Sequence, residues 1–189
     1  MKAFAFIYVL LFHATDVMAQ SVSGQLSQYT QKEIKLEGFN GTKSYNIGST
    51  TSDIQGKFTI NYTTNDYGMG YLITPDSKPF LVLLSGETIE IYGVQLANPE
   101  TITIKIGKEN LWFEQFAKEH SKREQALSAW EYLEKLYTSE AIFANQKKPS
   151  IAIQQELQRI KSEETAFLES LPKVSYVRWF IPTRKFVSS

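Results

Sequence analysis

Apolar and polar residues alternate with a period of two through the first half of the chain and with a period near 3.6 through the second. Between Ser21 and Ile106 the alternating stretches are short. They include Val22–Leu26, Ile34–Phe39, Tyr45–Ile47, Lys57–Tyr62, Gly68–Ile73, Thr88–Tyr92 and Thr101–Ile106. Turn residues separate them: Asn40-Gly41, Asp53 to Gly56, Thr74-Pro75-Asp76 and Ser85-Gly86-Glu87. Phe80–Leu84 departs from alternation as an unbroken apolar run, the pattern of a strand buried on both faces. About eight short strands at this spacing predict an antiparallel β-sandwich or barrel. With no helical pattern between them, parallel βαβ folding is not expected.

From Lys108 onward the spacing predicts helices. Asn110 is a candidate N-cap ahead of Leu111, Trp112, Phe113 and Phe116. Ser121-Lys122-Arg123-Glu124 reads as a capping box, which predicts a break or kink near His120. Ala126, Leu127, Trp130, Leu133, Leu136 and Tyr137 form one apolar stripe beyond it. A second helix is predicted over residues 150–170, between Pro149 and Pro172. A third is predicted over Tyr176–Ile181, limited or kinked by Pro182. The chain thus divides as an α+β protein: a β domain over residues 20–107 and a helical subdomain of about three helices over 108–189.

The first 19 residues carry a different pattern. Lys2 precedes the apolar run Ala3 to Phe12, and Val17-Met18-Ala19 supplies small or apolar residues before Gln20. That order predicts a secretory signal peptide cleaved after Ala19, and hence an exported protein of the periplasm or cell envelope. The run is too short to cross a bilayer, which takes about 20 residues. No later segment reaches that length, so no membrane span is expected in the mature chain.

Composition then narrows the chemistry. The 189 residues contain no cysteine, which excludes disulfides, thiolate catalysis and cysteine-ligated metals. Twenty basic residues balance twenty acidic ones, so no electrostatic footprint for nucleic acid exists. Of the two histidines only His120 lies beyond the signal stretch. Its surroundings make it a solvated or helix-junction residue, with a role as catalytic base a distant alternative. Asp53, Asp66 and Asp76 each sit beside turn residues, where side-chain to backbone bonding explains them. Glu87 with Glu90, and Glu163 with Glu164, do not form an acid pair of the glycosidase kind. No phosphate loop is present, and no cofactor or metal is expected. Asn40-Gly41-Thr42 and Asn61-Tyr62-Thr63 are formal glycosylation sequons. Aromatic residues reach 13%, mostly at inward-facing positions, which assigns them to packing first and to sugar stacking second.

The order of parts carries a resemblance. The segments SVSGQL, EIKLEGFNG, GKFTINY, YGMGYLI, PFLVLLSGETIEIYG and GKENLWFEQFAKEH follow one another after the signal stretch. Together they resemble the N-terminal domain, of unassigned role, in exported thioredoxin-like (TlpA/ResA-like, redoxin) proteins of Gram-negative envelopes. The closing SLPKVSYVRWFIPTRKFVSS resembles the helical connector ahead of the thioredoxin domain in those proteins. The resemblance covers Gln20 to Ser189, and it stops before the Cys-x-x-Cys domain would begin. It implies a non-catalytic accessory or interaction domain, not an enzyme, with a thioredoxin-fold domain or redox partner. Ser189 is then either a natural end or a truncation. Trp179, Phe180, Ile181 and Phe186 are the candidate docking surface for that partner, or else they pack on the preceding helices. The alternative is a free-standing extracytoplasmic β-sandwich that binds a glycan or another ligand.

Overall fold

The computed structural model describes residues 20–75 and 79–188, with side chains up to residue 183. The expected signal peptide, Asp76 and the Phe186 side chain lie outside this description. Eight strands come first: β1 (Gln20–Leu26), β2 (Glu33–Asn40), β3 (Lys43–Thr51), β4 (Lys57–Tyr62), β5 (Gly68–Ile73), β6 (Phe80–Leu84), β7 (Ile89–Gly93) and β8 (Thr103–Ile106). Three helices follow: α1 (Lys108–Ser139), α2 (Ser150–Ser170) and α3 (Tyr176–Ser188). The fold is α+β with a strand-rich N-terminal part, as the change of period predicts.

The strands form two four-stranded sheets, in the orders β4-β1-β7-β8 and β3-β2-β5-β6. Alternate residues of both face one shared core, in which Val22, Ile34, Leu36, Leu72, Val82 and Ile89 are fully buried. Each such side chain contributes about 1.5–3 kcal/mol on leaving water. Among the described residues every strand pair is antiparallel except one. β1 runs parallel to β7, with Val22 opposite Ile89 and Leu26 opposite Gly93. The sequence pattern predicts an antiparallel sandwich or barrel, and this one pair departs from it. The parallel pair needs no βαβ helix, because the whole second sheet lies between β1 and β7 in the chain and serves as the crossover. Gly24 makes this pairing close: a Cβ there would lie 1.7 Å from the Ile91 carbonyl oxygen.

β6 explains its own unbroken apolar run. Val82 and Leu84 enter the sandwich core, whereas Leu83 enters a second cluster with Phe116, Leu171, Val177 and Ile181. That second cluster joins the helices to the sandwich.

α1 departs from expectation at two points. It is one unbroken helix of 32 residues, with no break at His120. The pair Glu114–Lys118 (2.7 Å) precedes the expected break and Glu119–Arg123 (2.9 Å) spans it, and His120 stacks on Phe116 with ring centres 5.0 Å apart. These contacts favour continuity over a new cap at Ser121. Gly107, in a left-handed conformation (φ +115°), holds the N-cap position in place of Asn110. Asn110 lies inside the first turn, and its side chain is committed to β6. α3 likewise passes through Pro182 to Ser188. Buried Val177 and Ile181 hold the turns before the proline against the sandwich.

Candidate functional site: a groove between two sheet edges and helix α1

β6 is the edge of one sheet and β8 the edge of the other. The two edges border one opening of the sandwich, and α1 crosses beside it. Between them lies a cavity of about 620 Å³. Phe80 and Leu81 line it from β6, Ile102 and Ile104 from the β8 side, Leu96 from the preceding loop, and Phe113 and Ala117 from α1. Its walls are mainly apolar. Glu100, Glu114 and Lys118 supply the charge. Lys118 is bound to Glu114 at 2.7 Å, whereas Glu100 is exposed within the Asn98-capped 3-10 turn Pro99–Thr101. The groove therefore presents two carboxylates against one ammonium that is already paired.

Carboxylate caps fix α1 in this place. Glu87, in the turn after β6, accepts a hydrogen bond from the Glu109 backbone N–H at 3.1 Å. Glu109 in turn accepts from Ser175 Oγ at 2.8 Å and from the Val177 N–H at 2.9 Å. Thus one acid caps α1, and an acid of that capped turn caps α3. Asn110 completes the lock by pairing both backbone groups of Leu83, accepting from its N–H at 2.8 Å and donating to its C=O at 2.9 Å. Glu109 and Asn110 are both buried. Neither residue announces such a role in sequence. An acid in a first helical turn ordinarily faces its own helix dipole, and the partners here lie 22 to 68 residues away.

The four aromatic and apolar residues of the C-terminal stretch separate. Ile181 is 2% exposed and belongs to the cluster beneath the helices. Phe180 packs against that cluster, edge to face with Phe113 at 5.9 Å and stacked on Tyr176 at 5.5 Å. Trp179 is 53% exposed and touches Tyr176 at 4.5 Å between ring centres. The Phe186 side chain is outside the described residues. Among the described residues of that set, only Trp179 offers an open face. Burial also pushes the Tyr176 hydroxyl above its ordinary pKa.

His120 serves the helix hairpin. Its Nδ1 lies 2.7 Å from Glu164 Oε1 on α2, and its Nε2 lies 3.9 Å from Glu124. Arg123 adds a second link to Glu163 at 3.6 Å. Among the described residues no hydroxyl hydrogen-bonds the imidazole, and no cluster of three or more His, Asp or Glu forms a metal-binding set. Asp53 and Asp66 do turn chemistry. Asp53 accepts from the Gln55 and Lys57 N–H groups at 2.8 Å, and these backbone bonds, that of Lys57 foremost, lower its pKa. Asp66 closes a capping box on Thr63 and accepts from the Tyr45 hydroxyl at 3.1 Å. Among the described residues no helix is long and apolar enough to cross a membrane.

The groove escaped sequence reading because its lining comes from one strand, one loop, an edge strand and a helix. Their only advance signal is apolar residues beside turns, as in Pro79-Phe80-Leu81 and Leu96-Ala97. No protein-family model matches the chain, and no curated protein matches it.

Proposed function

We propose that the chain is a non-catalytic binding module of the cell envelope, and that the groove between β6, β8 and α1 is its contact site. One observation carries this reading: an open apolar cavity whose size falls in the range of ligand sites, walled by elements that buried polar bonds hold rigid. The export-signal pattern supports the compartment. The resemblance to thioredoxin-like envelope proteins supports an accessory role beside a thioredoxin-fold partner. Trp179 gives that partner a second point of contact. The groove's volume also favours the alternative of a free-standing binding protein for a small ligand.

Titration of the protein with a neutral apolar fluorophore such as Nile red tests the contact site. Saturable binding is expected, lost in Ala117→Trp, which fills the groove from α1, and retained in Trp179→Ala. Binding that survives Ala117→Trp and disappears in Trp179→Ala would place the contact site at α3 and not in the groove. For the accessory role, thioredoxin-fold proteins of the source envelope are expected to bind the intact chain and to lose affinity for Ala117→Trp or Trp179→Ala. Binding of the fluorophore with no such partner would favour the free-standing alternative.

A further inference from the structure

We infer that the groove takes a short extended peptide segment, laid beside Leu81 as an added strand on the β6 edge, with apolar side chains inside and a positive charge at the rim. The inference rests on the groove being a binding site, and it names the occupant.

The backbone of β6 supplies the first argument. In a strand, the N–H and C=O of one residue point to the same side, and those of the next residue to the other. Leu83 turns both of its groups away from β5, because both are held by Asn110. Leu81 lies two residues earlier in an unbroken register with β5, opposite Tyr71, so its N–H and C=O point the same way. Among the described residues nothing hydrogen-bonds them. Leu81 lines the groove. The β6 edge is therefore closed by a side-chain amide at Leu83 and open one step earlier, where it faces the cavity. An unpaired donor and acceptor spaced as in a sheet select a peptide backbone over a lipid or a simple hydrocarbon.

The walls supply the second argument. A strand beside β6 places successive side chains on opposite faces. One face meets Leu96 and Ile102, which belong to the sandwich core, and the other meets Phe113, which packs on the helix-facing cluster. Both faces are apolar, so both sets of ligand side chains are apolar. The rim supplies the third argument. Lys118 balances Glu114, whereas Glu100 has no ion-pair partner among the described residues and leaves the rim net negative. A basic residue or a free amino terminus on the ligand complements that charge.

The test uses the intact protein, Nile red and three synthetic peptides: acetyl-Arg-Val-Leu-Val-Arg-amide, the same peptide N-methylated at its central residue, and the same peptide with Glu in place of both Arg. The first is expected to displace the dye and to slow hydrogen exchange of the Leu81 amide. The N-methylated peptide is expected to bind about tenfold more weakly, the loss of one backbone hydrogen bond together with a steric clash. The Glu-flanked peptide is expected to bind more weakly than the Arg-flanked one, and Glu100→Gln is expected to narrow that difference. Equal binding of the N-methylated peptide, or unchanged Leu81 exchange on saturation, would overturn strand addition. Equal binding of the Glu-flanked peptide would overturn the basic ligand. Dye that binds in the groove but is displaced by none of the peptides would overturn the inference and leave the binding site standing. Dye that finds no site in the groove would overturn both.

Discussion

The carboxamide of Asn110 does for Leu83 what a neighbouring strand would do. It accepts from the Leu83 N–H at 2.8 Å and donates to the Leu83 C=O at 2.9 Å, fully inside the protein. A helix is thereby bonded to a sheet edge in strand-like geometry. Asn110→Leu keeps the volume and leaves both backbone groups buried without a partner. It is expected to cost about 2 kcal/mol or more in chemical denaturation. Asn110→Asp is expected to be destabilised as well, because its carboxylate meets the Leu83 carbonyl oxygen.

Glu109 and Val177 form the second link. Glu109→Ala removes the acceptor for the Val177 N–H and for Ser175 Oγ. The expected result is faster tryptic cleavage after Lys173, which lies exposed just before α3, together with a stability loss of about 2 kcal/mol. Glu109→Gln retains an acceptor oxygen and is expected to recover part of both effects. Equal cleavage in all three proteins would show that α3 is held by its apolar contacts alone.

Alkaline pH probes the seam between β4 and the turn after β6. The Tyr62 hydroxyl donates to the Glu87 carbonyl oxygen, and burial pushes its pKa up to about 12 from an ordinary value of 10.0. The folded state thus holds the proton more tightly than the unfolded one. The stability this confers is complete below pH 10.0 and is lost as pH rises through about 12. Tyr62→Phe is expected to be less stable at pH 8 and to show a shallower decline between these values. Asp53 has the opposite sign. Its lowered pKa gives stability present above the ordinary carboxylate value and lost as pH falls through the folded one, so Asp53→Asn is expected to flatten the acid limb.

Gly24 tests the parallel pair. Any side chain there meets the Ile91 carbonyl oxygen, so β1 and β7 cannot stay in register. Gly24→Ala is expected to cost about 4 kcal/mol or more, seen as a lowered thermal midpoint or insoluble expression. A midpoint within a few degrees of the parent would contradict the observed spacing.

Local pattern made much of this architecture legible. Alternation places Val22, Ile60 and Ile91 in the core, and the continuous run of β6 foretells two buried faces. The parallel pairing of β1 with β7 is set by the chain's path and leaves no mark on either strand. The capping signal at Ser121 is locally valid, but it loses to ion pairs and to packing by Phe116 and Glu164 that only the folded hairpin supplies. Asn110 misled for a related reason: a short polar residue near a helix start suits a cap, and its use on a distant strand depends on tertiary position. Of the C-terminal residues, Ile181 and Phe180 are spent on the junction, a distinction that helical period alone does not make.

On the proposed reading the groove is the primary contact site for an apolar or peptide ligand, and Trp179 adds contact only to a larger partner. Amide chemical-shift mapping of the isotope-labelled protein during titration with acetyl-Arg-Val-Leu-Val-Arg-amide separates the two surfaces residue by residue. Concerted, saturable shifts are expected at Leu81, Leu96, Ile104, Phe113 and Ala117, with Trp179 unmoved. Shifts centred on Tyr176 and Trp179, with the groove residues unchanged, would contradict that reading.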